Sequence, residues 1–391
     1  VMAFKGLENA VIILHGPQGC STYIRRHMAT HYNEPVDIAS TSLSEKGTVY
    51  GGADNLKKGI KNVVAVYRPE IVGVLTTCLA ETIGEDIWRI IAELYAEERD
   101  LRQIKIIPVA TPGYGGTQTE GYYKALRAVV EELAGQGDWE NLGRDTSLSG
   151  RLERKRAKCR INVIPANLNP GDIRQIKQIL EDFGIDYILL PDVSVTLDAP
   201  FLPEYRHIPA GGTKLREIRA MAGAAATIEM GMTVDDALSP GAYLRDQFGV
   251  PLYRLPIPAG MADTDRFLNL LSELSGKKIP EKYTEERGRL LDAMIDAHKY
   301  NGQARAVIYG DAEQCLSITG VCLESGIKPV LIAAGAETGQ FKTALKHMLA
   351  EREILTHKLF AGEDRPVILD DTDFETIEKY AVELGANLLI G

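Results

Sequence analysis

Short runs of apolar, mostly β-branched residues alternate along almost the whole chain with segments whose apolar residues recur at helical spacing. Continuous apolar runs of this kind are typical of parallel strands that are buried on both faces. The predicted strands are 11–14, 71–75, 104–109, 161–165, 187–190, 252–255, 304–309, 329–334, 366–369 and 387–390. The predicted helices include 81–98, 120–133, 171–183, 264–274, 284–298, 315–325 and 341–349. This alternation predicts an α/β fold in which helices flank parallel sheets.

Two changes in composition divide the pattern. Residues 135–160 are polar, contain glycine and end in a basic stretch, which is typical of a solvated connector. Residues 256–260 contain two prolines and a glycine. At about 150 residues per domain, a chain of 391 residues has room for two or three domains. We therefore predict three Rossmann-like domains, at residues 1–155, 156–258 and 259–391, with the third incomplete because the chain stops on a strand.

Charge and hydropathy exclude several classes of protein. The chain has 44 Lys and Arg against 54 Asp and Glu, and this net charge of −10 disfavours generic binding to nucleic acid or to an anionic membrane. Its apolar runs are far shorter than the roughly 20 residues that cross a bilayer, and its first residues lack the basic-then-apolar pattern of a signal peptide. We expect a cytoplasmic protein with no nucleic-acid or membrane partner.

The five cysteines are too few for a disulfide framework in a chain of this length. They include no pair separated by two residues, so a zinc site built from this chain alone is not predicted. Cys315 and Cys322 lie on one predicted helical face and are expected to pack in a core, whereas Cys159 lies in the basic connector and is expected to be incidental.

The other two cysteines share one local design. Cys20 follows the predicted strand 11–14 and a Gly/Pro turn, and Cys78 follows the predicted strand 71–75 and a polar turn; both stand where a helical segment begins. Ligands of doubly wound sheets gather at the carboxyl ends of the strands, and a helix N-terminus favours the thiolate, which is the form that binds metal. The pattern predicts Cys20 and Cys78 as metal ligands. A small buried thiol is the alternative at each position.

Weaker signals surround these two cysteines. The glycine-rich turn 113–121 follows the predicted strand 104–109 and is of the kind that cradles an anion or brings backbone close to a ligand. The turn 16–21 lacks the Gly-Lys-Ser/Thr ending of a phosphate-binding loop, so no nucleotide is expected on this chain. His27 and His31 share one helical face and are expected to make structural hydrogen bonds rather than to bind metal.

With these motifs in place, the sequence resembles nitrogenase component 1, and specifically its β-type subunit. The resemblance is carried by His15-Gly-Pro-Gln-Gly-Cys20, by Val49-Tyr-Gly-Gly52 and by the run from Thr76 through Cys78 to Asp86. It continues through residues 111–116, 210–213, 272–276, 285–294 and 309–311. It therefore covers essentially the whole chain.

The resemblance implies three Rossmann-like domains and a homologous α-type partner, in a heterotetramer of two chains of each type. It implies an iron–sulfur cluster shared by the two chains, an 8Fe-7S P-cluster in nitrogenases and a 4Fe-4S cluster in several relatives. Cys20 and Cys78 match two thiolate ligands of the β side, and the family's third β-side cysteine would lie before Val1. Thr117 occupies the place of a serine that ligates the oxidised cluster in the molybdenum enzyme. Gly19 is expected to let backbone amides approach the sulfurs.

The function implied by the resemblance is that of an oxidoreductase subunit without catalytic residues of its own. Such a subunit relays electrons from an ATP-dependent iron–sulfur reductase through the cluster to the active cofactor in the α-type partner. Two alternatives within the family are a scaffold for cofactor maturation, against which Cys78 argues, and a reductase of another substrate such as a tetrapyrrole or an organosulfur compound. A more distant alternative is a cofactor-free sugar-nucleotide transferase, which would be a colourless monomer rather than a brown heteromer.

Overall fold

The computed structural model describes residues 1–32, 34, 36–136, 160–201, 203, 206–360 and 365–391, and of residues 353, 356 and 358 the backbone alone. The basic part of the predicted connector and Cys159 lie outside the described residues.

Twelve strands form three four-stranded sheets in the described part of the chain, and every pairing within these sheets is parallel. The strands are β1 (Ala10–His15), β2 (Ala39–Ser40), β3 (Ile71–Thr76), β4 (Lys105–Val109), β5 (Arg160–Ile164), β6 (Asp186–Leu189), β7 (Ala226–Glu229), β8 (Leu252–Arg254), β9 (Arg305–Gly310), β10 (Lys328–Ala334), β11 (Val367–Leu369) and β12 (Leu388–Ile390). Their orders are β2-β1-β3-β4, β6-β5-β7-β8 and β11-β10-β9-β12.

Helices connect the strands and cover the sheets. They are α1 (Met2–Lys5), α2 (Gln18–His31), α3 (Glu45–Tyr50), α4 (Ala53–Tyr67), α5 (Cys78–Thr82), α6 (Ile87–Glu97), α7 (Gln118–Leu133), α8 (Pro170–Asp182), α9 (Leu215–Ala220), α10 (Pro240–Phe248), α11 (Gly260–Ser275), α12 (Glu281–Asn301), α13 (Ala312–Glu324), α14 (Phe341–Glu351), α15 (Glu353–Phe360) and α16 (Phe374–Glu383). None of these described helices is long and apolar enough to span a bilayer. The predicted fold of parallel sheets flanked by helices is confirmed.

The structure differs from the predicted elements in two places. The single helix predicted over 81–98 is two helices, because Gly84 takes a left-handed conformation (φ +76°) after α5 and the Asp86 carboxylate then caps α6 by accepting the N–H of Arg89. The sequence pattern also missed β2 and β7. Strand β2 has only two residues, and β7 carries a charged residue, Glu229, that is fully buried.

Helix α7 holds the first two sheets together. Its buried face, which includes Leu126, Val129 and Leu133, belongs to a core that also contains Ile12 of β1 and Leu244 of α10. Such a face stabilises by removing apolar surface from water. The start of α7 is thereby fixed at the carboxyl edge of the first sheet, where β4 leads into it.

Candidate iron–sulfur ligand site

Three loops meet at the carboxyl edge of the first sheet. Strand β3 lies between β1 and β4, and the register pairs His15 with Thr76 at the ends of β1 and β3. Cys20 lies in the first turn of the helix that follows β1, Cys78 begins the helix that follows β3, and Gly113 lies in the loop that follows β4. The topology thus brings the two predicted cysteines and the glycine-rich turn to one edge.

Cys20 is a half-buried free thiol in the first turn of α2. The N–H groups of a first helical turn lack partners within the helix and favour a negative charge nearby. A Cβ atom built on the neighbouring Gly19 would meet no heavy atom within 4 Å, so the described residues leave the surroundings of Gly19 open. The predicted role of Gly19 at the sulfurs stays a prediction.

Cys78 is an exposed free thiol and the first residue of α5. Its Sγ accepts a hydrogen bond from the backbone N–H of Gly113 at 3.0 Å. The sequence indicated the turn 113–121 as a place of close backbone approach but did not single out Gly113. A Cβ atom on Gly113 would lie 3.3 Å from the Cys78 sulfur, so a small shift of that exposed side chain would accommodate alanine.

The two cysteine turns contact each other directly. A Cβ atom on Gly16 would lie 2.1 Å from Thr77 Oγ1 and 2.4 Å from Thr77 Cγ2, so only glycine fits at this position. The backbone N–H and the hydroxyl of Thr77 both donate to the carbonyl oxygen of His15, at 3.1 and 3.2 Å. The residue that precedes Cys78 is therefore bonded to the residue that begins the Cys20 turn.

A buried polar network underlies these turns. His15 is fully buried; its Nδ1 lies 3.1 Å from Thr41 Oγ1, and its Nε2 lies 3.5 Å from a carboxylate oxygen of Glu85. Burial lowers the pKa of His15, and the neighbouring Glu85 carboxylate only partly opposes this effect. The other oxygen of Glu85 accepts the N–H of Gly52 at 2.5 Å. The Glu85 carboxylate therefore contacts both the motif that begins at His15 and the motif that ends at Gly52. Sequence reasoning assigned no role to Thr41 or Glu85.

Thr117 caps helix α7. Its Oγ1 accepts the N–H of Glu120 at 3.0 Å, and the Glu120 carboxylate accepts the N–H of Thr117 at 2.7 Å. This reciprocal pair is a capping box and satisfies two N–H groups at the start of the helix. Its predicted place at the cluster stays a prediction.

The remaining cysteines lie elsewhere. Cys315 and Cys322 are buried in the core of the third sheet, where burial raises the pKa of their thiols to about 12 and about 11. Thiols that hold their protons this strongly are suited to packing rather than to binding metal. His31 Nε2 lies 3.1 Å from Asn169 Oδ1, in keeping with a structural hydrogen bond.

Large aromatic side chains stand exposed beside the cysteines. Tyr23 on α2 is 64% exposed, and Tyr50 on α3, two residues before Gly52, is 82% exposed. Tyr114, next to Gly113, is 66% exposed. Aromatic residues are enriched in protein interfaces, and exposed apolar surface marks binding sites.

Across the described residues, no group of three or more His, Cys, Asp or Glu side chains is arranged to hold a metal ion.

The whole chain, residues 1–391, matches the family described as nitrogenase component 1 type oxidoreductase. The chain belongs to this family. It is 32% identical over 388 residues to the nitrogenase molybdenum-iron protein beta chain of Clostridium pasteurianum, covering 99% of this chain and 79% of that relative. It is 34% identical over 335 residues to the nitrogenase vanadium-iron protein beta chain of Trichormus variabilis, covering 84% and 68%.

A solved structure entitled Nitrogenase Cp1 at pH 6.5 superposes with a TM-score of 0.87 at 30% identity, covering 99% of this chain and 78% of that chain. The resemblance to nitrogenase component 1 that the sequence motifs carry is confirmed by these matches. This nitrogenase component 1 type chain is an oxidoreductase subunit, and the part of it that the structure describes is built on three parallel sheets.

Proposed function

We propose that this chain is the β-type subunit of a nitrogenase or of a nitrogenase-like reductase. It pairs with a homologous α-type subunit, binds an iron–sulfur cluster at their interface, and relays electrons from an ATP-dependent iron–sulfur reductase to the active cofactor of that partner. The observation that carries this proposal is the placement of Cys20 and Cys78 on directly bonded turns at the carboxyl ends of neighbouring strands.

The donor set fits a shared cluster. Iron–sulfur clusters are usually held by four or more protein ligands, mostly cysteine thiolates. Cys20 and Cys78 are the free thiols that stand at this edge of the described chain, whereas Cys315 and Cys322 are buried in another core. Two thiolates leave further ligands to be supplied from elsewhere, and a partner that covers Tyr23, Tyr50 and Tyr114 would be placed to supply them.

The chain's own residues bind and orient the group and exclude water beneath it. The Cys20 and Cys78 thiolates bind iron, and the first turn of α2 favours the charge on Cys20. The buried side chains of His15 and Thr76 close the floor of the site below the turns. When bound, an iron–sulfur cluster accepts and passes on single electrons; its potential depends on burial and on hydrogen bonds to its sulfurs.

The test is anaerobic co-purification of this chain with its α-type partner, followed by iron and acid-labile sulfide analysis. Cys20→Ala and Cys78→Ala are expected to lower both contents and to uncouple electron delivery. Cys322→Ala is the matched control, because it removes a thiol from a core remote from the site. Full iron retention in Cys78→Ala, with the partner still bound, would contradict the ligand assignment.

The same preparation distinguishes the maturation scaffold. A scaffold would release a metal–sulfur precursor to an acceptor protein, whereas the proposed relay keeps its iron through repeated cycles of reduction. Iron that leaves the complex on addition of a cofactor-deficient acceptor would favour the scaffold function over the relay.

A further inference from the structure

The Cys78 sulfur has a hydrogen-bond donor inside this chain, the N–H of Gly113, at a nitrogen–sulfur distance of 3.0 Å. The donor lies 35 positions along the chain, on the loop that follows the neighbouring strand. A backbone N–H has no titratable state and carries no conformational entropy of a side chain, so it is a fixed donor. A hydrogen bond to an ionised acceptor is about twice as strong as one between neutral groups.

The loop that presents this N–H is held on both sides. Before it, Thr111 is bonded to Thr76 twice, through its N–H at 2.9 Å and through its hydroxyl at 3.0 Å. After it, the N–H of Gly115 donates to the carbonyl of Pro112 at 3.0 Å and closes a turn around Gly113. The capping box of Thr117 then begins α7. The donor is therefore preorganised by contacts that do not involve the cysteine.

We infer that Gly113 is a positioning residue for the bound cluster: its N–H fixes the direction of the Cys78 thiolate and withdraws charge from the sulfur. This inference rests on the proposed function, because it takes Cys78 as a ligand. Reduction adds negative charge to the cluster, and a donor to a ligand sulfur stabilises the more negative state. The Gly113 N–H thus raises the reduction potential of the bound cluster.

The test compares two variants of the complete complex. Gly113 is the second residue of the turn closed by Gly115, a position at which proline is favoured, and Gly113→Pro removes the N–H. The ring carbon takes the place of the hydrogen that faced the Cys78 sulfur, so iron content is measured to show that Cys78 still binds. Gly113→Ala is the matched control, because it keeps the N–H and adds a methyl group 3.3 Å from the sulfur. The reduction potential is measured by a redox titration followed by EPR spectroscopy.

The expected result is a more negative potential in Gly113→Pro with iron retained, and a potential near that of the unchanged complex in Gly113→Ala. A tenfold change in the reduced-to-oxidised ratio, about 59 mV for a one-electron couple, is the expected scale. Equal potentials in the proline variant and the unchanged complex, at equal iron content, would overturn the inference. If Cys78→Ala in parallel loses iron, the proposed function stands while the inference fails.

A second measurement needs no variant that risks assembly. The complex is produced with ¹⁵N-glycine, and the nitrogen couplings to the paramagnetic cluster are recorded by electron–nuclear double resonance, with and without Gly113→Ala. A ¹⁵N coupling that disappears in the alanine variant supports the inference, because that variant removes the label at this one position of the chain. Identical spectra would overturn it, and this measurement decides if Gly113→Pro does not assemble.

Discussion

Gly16 lies against the side chain of Thr77: a Cβ atom on the glycine would stand 2.1 Å from the threonine Oγ1. This contact joins the turn that carries Cys20 to the turn that carries Cys78. Its closeness makes the separation of the two cysteines depend on the absence of a single methyl group.

Gly16→Ala is therefore expected to push the turns apart, to destabilise the chain by about 1–3 kcal/mol, as overpacking of a filled site does, and to lower the iron content of the purified complex. Denaturant unfolding and iron analysis check the two effects. Gly121→Ala is the matched control, because a Cβ atom there meets no heavy atom within 4 Å and alanine suits the interior of α7. An alanine at position 16 that leaves iron content and stability unchanged would refute the steric coupling.

Thr117 offers a test that separates capping from ligation. Thr117→Ala is expected to cost about 1 kcal/mol of stability, because the N–H of Glu120 loses its acceptor, whereas Thr117→Ser keeps a hydroxyl and the cap. If the predicted hydroxyl ligand role also holds, Thr117→Ala additionally removes the spectroscopic change of the oxidised cluster and Thr117→Ser retains it. If the destabilised Thr117→Ala variant has a normal oxidised-state spectrum, Thr117 caps α7 and is not a ligand of the oxidised cluster.

Glu313, in the first turn of α13, is expected to make the stability of the folded chain depend on pH. Its Oε1 accepts the N–H and the hydroxyl of Thr233 at 2.5 and 2.6 Å, and burial raises its pKa from 4.5 to about 7. Between these pH values the folded chain holds a proton that the unfolded chain has lost, so the contribution of Glu313 to stability falls as pH rises from 4.5 to 7. The loss amounts to about 3 kcal/mol at 1.36 kcal/mol per pKa unit.

Glu313→Gln is expected to remove this dependence while keeping an oxygen that accepts from Thr233. The measurement is urea unfolding of both proteins at intervals from pH 4.5 to 7.5, with the exposed Glu273→Gln as control. Burial lowers the pKa of His15, so His15 makes stability rise with pH below pH 6.5, opposite to the effect of Glu313. Both proteins contain His15, so its contribution cancels when the stability of the variant is subtracted from that of the unchanged chain. If the free energy of unfolding changes with pH equally in Glu313→Gln and in the unchanged chain, the pH dependence does not come from Glu313.

Cys322→Ala tests the packing role of the second buried thiol. The side chain is 2% exposed in the core of the third sheet, so its removal is expected to cost about 1–3 kcal/mol and to leave iron and sulfide contents unchanged. Thermal unfolding and metal analysis check both statements. A loss of iron without a loss of stability would place this thiol in the cluster site.

The sequence pattern predicted the fold class because strands buried on both faces are apolar at every position, as in Ile71–Thr76. It missed Ala226–Glu229, whose buried carboxylate is compensated by groups 10 to 25 positions along the chain, namely Ser239, the N–H of Gly241 and Arg254. Compensation of a buried charge is a tertiary effect, and no local pattern displays it.

The candidate site divides in the same way. Cys20 and Cys78 were visible because a thiol at the start of a helix after a buried strand is a local arrangement. The partners that hold them in place were not, since Gly113 reaches Cys78 across 35 positions and Thr41 reaches His15 across 26. The family motifs included Glu85, but only the structure shows that its carboxylate meets both His15 and Gly52.

The start of α7 links the carboxyl edge of the first sheet, where Cys20 and Cys78 lie, to the third sheet. Thr117 ends the loop that touches Cys78, and two residues later the Thr119 hydroxyl donates to the Asp311 carboxylate at the start of α13. If the third sheet moved relative to the first, either the Thr119–Asp311 hydrogen bond would break or the loop that contains Gly113 would move as well. The position of the third sheet is thereby coupled to the loop whose Gly113 N–H donates to the sulfur of Cys78.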